Sequence, residues 1–350
     1  MSNSTKPRLR LSRRPKDFKE NPSHPILPIP ERTLGYYADI LLATLPLYLF
    51  GIYHYGFRPI ILALISAVMM LGLDSAVKTV LKKDTYFDIS PAVNGVIIAL
   101  FFPASAPLWL PIVTSIIAVI FKTAFEYLPK ISVSQNALTV LASFLLFPGV
   151  MNVIPERGQM LSPFALSPSG FKALQATPLE TVMSGHLPET TPFEVFFGLN
   201  SARIGELSGI LLIAVLVYML ARKAAKPILP LAFILTVGVF SYLSPSLEAA
   251  SDFVALDGAI YNVFGSNTFL CAVFLLSPPM RGAKTPIGNA ICGIISGIIA
   301  MLLRSILPID ITALIAVISV GIIAPIINIF IKPTPFGGYI LPQKEESKDE

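Results

Sequence analysis

The sequence predicts an all-α polytopic membrane protein of about ten transmembrane helices. Hydrophobic residues make up 54% of the 350 residues, charged residues make up only 13%, and the mean hydropathy is +0.71. Soluble domains carry roughly a quarter of their residues as charges. Apolar runs that can cross a hydrocarbon core of about 30 Å, which takes roughly 20 residues per helix, recur along the whole chain. Composition therefore excludes an ordinary soluble domain.

The apolar runs form two groups of five, separated by the polar interval 155–204. The third run is short and ends in "FFPASAP", whose prolines predict a broken or tilted helix. We expect the ten helices at residues 38–56, 59–80, 89–104, 108–128, 135–154, 205–221, 227–244, 259–277, 285–306 and 311–331.

Lysine and arginine residues are divided unequally between the two sides of this ten-helix arrangement. Twenty of the 26 lie in the leader, the even-numbered loops and the tail, whereas five lie on the other side and Lys122 lies within a predicted helix. Cytoplasmic loops of membrane proteins carry the excess of positive charge. We therefore expect a multi-pass protein of the cell (inner) membrane with both termini in the cytoplasm and the interval 155–204 outside it.

The two groups of helices resemble each other in sequence. "GYYADILLATLPLYL" from Gly35 aligns with "GELSGILLIAVLVYM" from Gly205, and "NGVIIALFFPASAP" from Asn94 is similar to "NTFLCAVFLLSPPM" from Asn267. An odd number of helices per repeat makes the second repeat enter from the opposite face, as in many transporters. We predict a basic cytoplasmic leader, a first five-helix repeat, an extracytoplasmic loop, a second and inverted five-helix repeat, and a cytoplasmic tail, at residues 1–35, 36–154, 155–204, 205–332 and 333–350.

The basic pI of about 9.1 follows from the same charge distribution. Attraction between cationic segments and anionic lipid at the cytoplasmic leaflet is sufficient to account for it. The sequence shows no stacking-aromatic motif of the kind that nucleic-acid-binding modules use. We therefore expect contact with membrane lipid and no nucleic-acid partner.

Few residues suit metal binding or nucleophilic catalysis. Cys271 and Cys292 are single cysteines on separate apolar runs, so they cannot supply a four-thiolate cluster and are interpreted as packing residues. The three histidines, His24, His54 and His186, do not have the spacing of metal ligands. We expect no metal site and no catalytic residue within this chain.

Two long stretches carry a resemblance to a known family. "DILLATLPLYLFGIYHYGFRPIILALISAVMM" and the following "DISPAVNGVIIALFFPASAPLW" resemble the opening of the membrane subunits RnfD and NqrB of the Rnf and sodium-pumping quinone reductase complexes. "IGELSGILLI" looks like the family's Gly-Glu-Thr-Ser stretch at the head of the sixth helix. The resemblance covers about residues 24–332, and the predicted helix count and large outer loop favour the RnfD branch.

The resemblance implies a covalently bound flavin at "LQATPLET". In the family, a threonine in a Ser/Thr-Gly-Ala-Thr motif carries FMN through a phosphodiester bond that a flavin transferase installs outside the cytoplasm. Thr177 matches the acceptor threonine, with Ala176 before it and Pro178 and Leu179 after it. An acceptor hydroxyl must be accessible, and we expect Pro178 to keep this segment from folding into a helix that would hide it. A flavin there would supply redox chemistry while the protein supplies position.

The sequence departs from the family pattern at several of these positions. Phe171 stands where the pattern has an acidic residue, and Leu174 and Gln175 stand where it has Ser/Thr-Gly. Pro278 or Pro279 replaces the aspartate of a Thr-Asp-Pro sequence. These departures leave open a flavin-free scaffold subunit as an alternative.

Ionisable residues in or beside the predicted helices are candidates for an ion or flavin environment, because charge inside a membrane is costly. Lys122 and Glu126 are four residues apart on one predicted helix, so mutual pairing accounts for them. Glu206 is predicted to begin a helix, where the helix dipole would also stabilise a carboxylate. The candidates are Glu206, Asp39 and Asp74.

By this resemblance, we expect a membrane subunit of an Rnf-type ion-translocating electron transport complex. It would relay electrons through covalent FMN, and it would contribute to Na⁺ or H⁺ translocation without being a complete enzyme alone. The family also implies a second, non-covalent flavin and partner subunits similar to RnfA, RnfE, RnfG and RnfC. A secondary transporter is the alternative from another class, because inverted repeats and proline-broken helices suit it equally well.

Overall fold

The computed structural model describes residues 30–82, 88–126, 133–184, 186, 188–243, 255–278, 282–307 and 309–331. Residues 1–29 of the predicted leader and the whole predicted tail, 333–350, lie outside the described residues, as does Pro279. The basic residues Lys83, Lys130, Arg281 and Lys332 of the predicted cytoplasmic loops and tail also lie outside them.

The described part of the chain is helical, with one isolated antiparallel bridge between Pro155 and Ala173 and no β-strand. A π-helix, Cys271–Leu276, follows directly on α12. The α-helices are α1 Pro30–Tyr55, α2 Arg58–Val80, α3 Ser90–Ala99, α4 Trp109–Glu126, α5 Gln135–Leu146, α6 Pro148–Met151, α7 Pro178–Met183, α8 Pro192–Phe197, α9 Gly209–Ala221, α10 Ile228–Leu243, α11 Ala255–Phe264, α12 Thr268–Leu270, α13 Pro286–Arg304 and α14 Ile309–Phe330.

Five helices of the described chain are long and apolar enough to cross a membrane: Gly35–Tyr55 of α1, then α2, α4, α13 and α14. A sixth crossing is formed if the bent pair Leu256–Phe264 and Thr268–Leu276, inclined at 58°, counts as one span. Each of the other predicted segments also contains a helix, but α3, α5, α9 and α10 have 10, 12, 13 and 16 residues. At 1.5 Å per residue the longest of these reaches only about 24 Å. The all-α membrane class is confirmed, and the count of ten spans stays a prediction.

The two broken segments lie at the centre of the protein. Helix α3 ends at Ala99, and the chain then turns through Pro103 and Pro107 with every residue from 97 to 107 buried. In the later segment, α11 ends at Phe264, and residues 266–277 are all buried. Gly205 lies between the two, since a Cβ there would come within 2.9 Å of Leu100 and Leu270 side-chain atoms.

The contact between α10 and α13 brings two backbones unusually close. A Cβ added to Gly293 of α13 would lie 2.6 Å from the Cβ of Ala232 and 2.7 Å from the carbonyl oxygen of Leu229, both on α10. Small residues at helix crossings allow this approach in membranes, where dispersion contacts replace the hydrophobic effect as the source of association.

Replacing Gly293 with leucine is expected to lower the free energy of unfolding by about 1–3 kcal/mol, because the added side chain forces the two backbones apart. Thermal unfolding of the purified chain in detergent would measure this loss. Gly72→Leu on α2 is the matched control, since a Cβ there meets no described atom within 4 Å. Equal losses in the two variants would contradict the close-packing explanation.

Candidate functional site

The predicted acceptor Thr177 is the residue that precedes and caps the short helix α7. Its backbone is extended (φ −68°, ψ 156°), its side chain is half-buried, and Pro178 is the first residue of the helix. The expectation that Pro178 would keep this segment out of a helix is therefore wrong. Proline lacks only an N–H that the first helical turn leaves unpaired, so it begins the helix and leaves Thr177 outside it.

A capping box fixes the conformation of Thr177. The Glu180 backbone N–H donates to Thr177 Oγ1 at 3.3 Å, and the Thr177 backbone N–H donates to Glu180 Oε2 at 2.7 Å. The chain repeats the motif at Thr191-Pro192-Phe193-Glu194, with distances of 3.3 and 2.8 Å and φ and ψ of −72° and 156° at Thr191. Both Thr-Pro-x-Glu sequences match the capping-box pattern, which the sequence alone displays.

Helix α7 is anchored above the start of α14. Leu179 and Val182 on its buried face pack with Val195, Tyr261 and Ile309 in a small hydrophobic cluster apart from the main core. The Tyr261 hydroxyl also donates to the carbonyl oxygen of Thr190 at 2.6 Å. Ile309 in this cluster is the first residue of α14, and the residue that follows it on that helix is Asp310.

Asp310 forms a buried, two-pronged ion pair with Arg203. Arg203 Nη1 lies 2.7 Å from Asp310 Oδ1, and Arg203 Nη2 lies 2.6 Å from Asp310 Oδ2. The guanidinium also stacks over the Phe144 ring, 4.8 Å from its centroid, and its Nε donates to the Met151 carbonyl oxygen at 3.3 Å. Parallel N–H···O bonds to one carboxylate fix both position and orientation.

Glu206 completes a three-charge cluster. Its Oε2 lies 3.4 Å from Arg203 Nη1, while its Oε1 is buried without a hydrogen-bond partner among the described residues. Asn267 is similar, because its Nδ2 donates to the Asp310 carbonyl oxygen at 2.7 Å and its Oδ1 is buried without such a partner. The carboxylates of Glu206 and Asp310 thus both contact one guanidinium. Glu206 Oε1 and Asn267 Oδ1 are the oxygen atoms that could accept a proton, a water or a cation.

The predicted place of Glu206 at a helix start is wrong by three residues. Helix α9 begins at Gly209 with Ser208 as its cap, so Glu206 lies in the buried turn before it and is partnered by Arg203 rather than by the end of the helix. Glycine at 205 and serine at 208 favour this later start, because neither residue stabilises a helical turn as well as it stabilises a cap. Asp310 is not among the residues predicted from the sequence, although it directly precedes the predicted helix 311–331.

Asp39 and Asp74 lie elsewhere and do not join this cluster. Asp39 on α1 accepts a hydrogen bond from Arg222 Nε at 2.9 Å and from the Tyr218 hydroxyl at 3.3 Å. Asp74 on α2 accepts from Lys122 at 2.6 Å and pairs with Lys78 at 2.8 Å. Lys122, which the sequence pattern pairs with Glu126, thus bridges α4 to α2. Both aspartates have cationic partners that explain them structurally.

Arg304, the last residue of α13, holds the break between α11 and α12. It donates to the main-chain and side-chain oxygens of Asn262 and to the hydroxyls of Ser266 and Thr268. These contacts pair the two terminal Nη groups of a buried cation with neutral oxygens, whereas its Nε is buried without a partner among the described residues. They fix the bent segment that carries Asn267 and Cys271. Cys271 is fully buried and free, as a packing residue would be.

Comparison with known proteins agrees with this architecture. The family model described as "NQR2, RnfD, RnfE family" matches residues 23–337. One similar protein is the D subunit of the Na(+)-translocating ferredoxin:NAD(+) oxidoreductase complex of Acetobacterium woodii, 26% identical over 291 residues that cover 81% of this chain and 84% of that protein. Another is the D subunit of the ion-translocating oxidoreductase complex of Escherichia coli O127:H6, 25% identical over 85% of this chain and 92% of that protein. The chain belongs to the NQR2, RnfD, RnfE family.

Proposed function

We propose that this chain is the D-type membrane subunit of a redox-driven, ion-translocating oxidoreductase complex and that it carries FMN on Thr177. The observation that carries the proposal is the family match over residues 23–337, which spans both the membrane helices and the loop with Thr177. The relatives are named as D subunits of such complexes, and one of these is named as Na⁺-translocating. Electron transfer would be coupled to movement of Na⁺ or H⁺, with the donor-oxidising sites on other subunits.

The residues around Thr177 suit attachment of a phosphodiester-linked flavin. The Thr177 hydroxyl is at the surface of a polar loop, and its oxygen accepts one long hydrogen bond, from the Glu180 N–H at 3.3 Å. Ala176 and Gln175, which precede Thr177, are neither large apolar nor charged residues. Bound FMN would supply one- and two-electron redox chemistry. This chain would hold it over α7, α11 and the start of α14.

The buried cluster beneath α7 is the proposed ion or flavin environment within this chain. Glu206 and Asn267 each offer an oxygen without a partner among the described residues, and the Arg203 guanidinium contacts both Glu206 and Asp310. A redox event above the cluster would change the local potential, and bound protons or cations respond to such changes. A second, non-covalent flavin is part of the proposal, with no ligand assigned to it.

The proposed topology keeps the ten spans, the two inverted five-helix repeats and the cytoplasmic termini of the sequence analysis. The lysine and arginine distribution supports it, because it puts Thr177 on the side where a flavin transferase acts. Subunits resembling RnfA, RnfE, RnfG and RnfC would be the partners in the inner membrane, and lipid would cover the remaining helix faces.

Fluorescence of the denatured wild-type chain tests the covalent flavin. Expression with a flavin transferase of the Rnf type should give a band that fluoresces under ultraviolet light after denaturation, and expression without it should give a dark band. A dark band in both cases would remove the covalent flavin and leave a scaffold or a secondary transporter. Substrate-dependent uptake by the isolated chain would then favour the transporter.

A further inference from the structure

An uncharged stretch of the loop between α6 and α7 exposes large apolar side chains. Residues 158–171, "GQMLSPFALSPSGF", contain no Asp, Glu, Lys or Arg, and Arg157 and Lys172 flank them. Met160 is 73% exposed, Phe164 80% and Leu166 70%. We call these three side chains the apolar loop patch. Exposed apolar clusters of this kind mark a surface that is covered by something in the working protein.

The backbone of this stretch is tied to the ends of long apolar helices. The Leu161 N–H donates to the carbonyl oxygen of Tyr55, the last residue of α1, at 3.1 Å. The Leu108 N–H, one residue before α4, donates to the carbonyl oxygen of Leu166 at 2.9 Å. The apolar loop patch is therefore held at the level where these candidate spans end and cannot extend far into the aqueous phase.

The buried side chain of Arg58 holds the apolar loop patch at the level of the helix ends. Arg58 is the first residue of α2, its side chain is fully buried, and it binds carbonyl oxygens in the loop. Its Nη1 donates to Ser162 at 2.8 Å and to Ala165 at 2.9 Å, and its Nη2 donates to Ala106 at 2.7 Å. Two of these hydrogen bonds hold the residues on both sides of Phe164 against the helix end, and the third ties the same guanidinium to the turn before α4.

The apolar loop patch is continuous with the outward-facing surface of the helices. Tyr53 near the end of α1 and Phe57 in the α1–α2 turn are both strongly exposed, as is Leu49 one turn earlier. Met160 connects the loop to this helix surface. Its sulfur lies 3.5 Å from the position that a Cβ on Gly56 would occupy, and Gly56 lies between Tyr55 and Phe57. Aromatic and apolar side chains at the ends of spanning helices occupy the boundary between headgroups and acyl chains.

We infer that the apolar loop patch inserts into the lipid leaflet on the loop's own side of the membrane, at the boundary between headgroups and acyl chains. Lipid fits this surface better than a protein partner does, because the patch continues the exposed apolar surface of a candidate membrane span and its stretch offers no charge to a partner. The insertion would keep the loop that leads to Thr177 pressed against the membrane. It requires only that the chain span a membrane, whatever its redox chemistry.

A single tryptophan in the patch can report its surroundings. Trp109 is the only tryptophan of the chain, so the Trp109→Phe variant provides a dark background into which Phe164→Trp is introduced. Lys172→Trp is the matched control on the same loop, because the Lys172 side chain is charged, 78% exposed and paired with Glu156. Each full-length variant is reconstituted into vesicles of plain phosphatidylcholine or of phosphatidylcholine brominated near the top of its acyl chains.

The Phe164→Trp variant is expected to emit at a shorter wavelength than the Lys172→Trp variant and to lose most of its fluorescence in brominated vesicles. The Lys172→Trp variant should keep its emission in both kinds of vesicle. Unquenched, water-like emission from the Phe164→Trp variant would overturn the lipid contact. Short-wavelength emission that bromine does not quench would also overturn it, because protein rather than lipid would then surround the side chain.

Discussion

Thr177→Ala is expected to abolish covalent flavin fluorescence completely in a chain expressed with its flavin transferase. The variant lacks the oxygen that the phosphodiester needs, so no residual signal should remain at this position. The measurement is ultraviolet fluorescence of the denatured chain in a gel, compared with total protein in the same lane. Thr177→Ser should retain the flavin, because serine keeps both the hydroxyl and the capping interaction with Glu180.

The second Thr-Pro-x-Glu motif supplies an unusually close control. Thr191 has nearly the same backbone angles and the same capping box as Thr177, and its side chain is exposed. Loss of either cap costs about 1 kcal/mol, so Thr191→Ala imposes a similar structural disturbance while leaving the proposed acceptor in place. Full fluorescence in Thr191→Ala and none in Thr177→Ala would support attachment at Thr177. The reverse pattern, or retention in Thr177→Ala, would contradict it.

The two Thr-Pro-x-Glu motifs also show where sequence reasoning succeeds and where it stops. The capping box at Thr177 could be predicted, because the pattern of a threonine three residues before a glutamate acts within a single turn. The resemblance selects Thr177 rather than Thr191 through Ala176 and Leu179, which local geometry does not distinguish. Attachment of FMN at Thr177 alone would require a transferase to recognise more than the local backbone.

The long helices were predictable because their signal is local. The apolar run 59–80 locates both ends of α2 within one residue, and the run 38–56 locates the end of α1 within one residue, whereas α1 begins eight residues before the predicted start. The start of α9 is marked less sharply, because Gly205 and Ser208 favour a later start whereas Glu206 and Leu207 are good helix formers. Its turn before Gly209 is held by tertiary contacts, such as the hydrogen bond from the Gly205 N–H to the Leu100 carbonyl oxygen at 2.8 Å.

The charged cluster depends on contacts between distant parts of the chain. Arg203 and Asp310 are 107 residues apart, and no periodic pattern connects them. From the sequence, Arg203 is predicted only to be one of the positive charges on the non-cytoplasmic side, where an arginine is expected to be solvated. Its burial becomes visible only when α5, α9 and α14 pack together around it. Contacts that join several distant elements in this way cannot be predicted from a single sequence.

Asp310→Ala is expected to lower the free energy of unfolding by about 3–5 kcal/mol, because it leaves the buried Arg203 guanidinium without its two-pronged partner. Glu206 cannot replace Asp310 fully, since it reaches only Nη1 and at 3.4 Å. Thermal unfolding of the detergent-purified chain would measure the loss as a lower midpoint. Where the variant is too unstable to purify, the yield of folded, monodisperse protein relative to wild type provides the readout.

The triple variant Arg203→Met, Asp310→Leu and Glu206→Gln distinguishes loss of charge compensation from loss of packing. Glu206 is included because it also pairs with Arg203 and would otherwise be left as a buried carboxylate without its cation. Removing all three charges at similar volume should recover most of the midpoint, because a buried ion cluster often contributes little beyond what well-packed neutral groups supply. Lys172→Met, which breaks the exposed pair with Glu156, should change the midpoint little, since surface ion pairs are screened by water. If Asp310→Ala melted like wild type, Arg203 would not depend on Asp310, and if the triple variant were as unstable as the single one, the cluster would be required for more than mutual charge compensation.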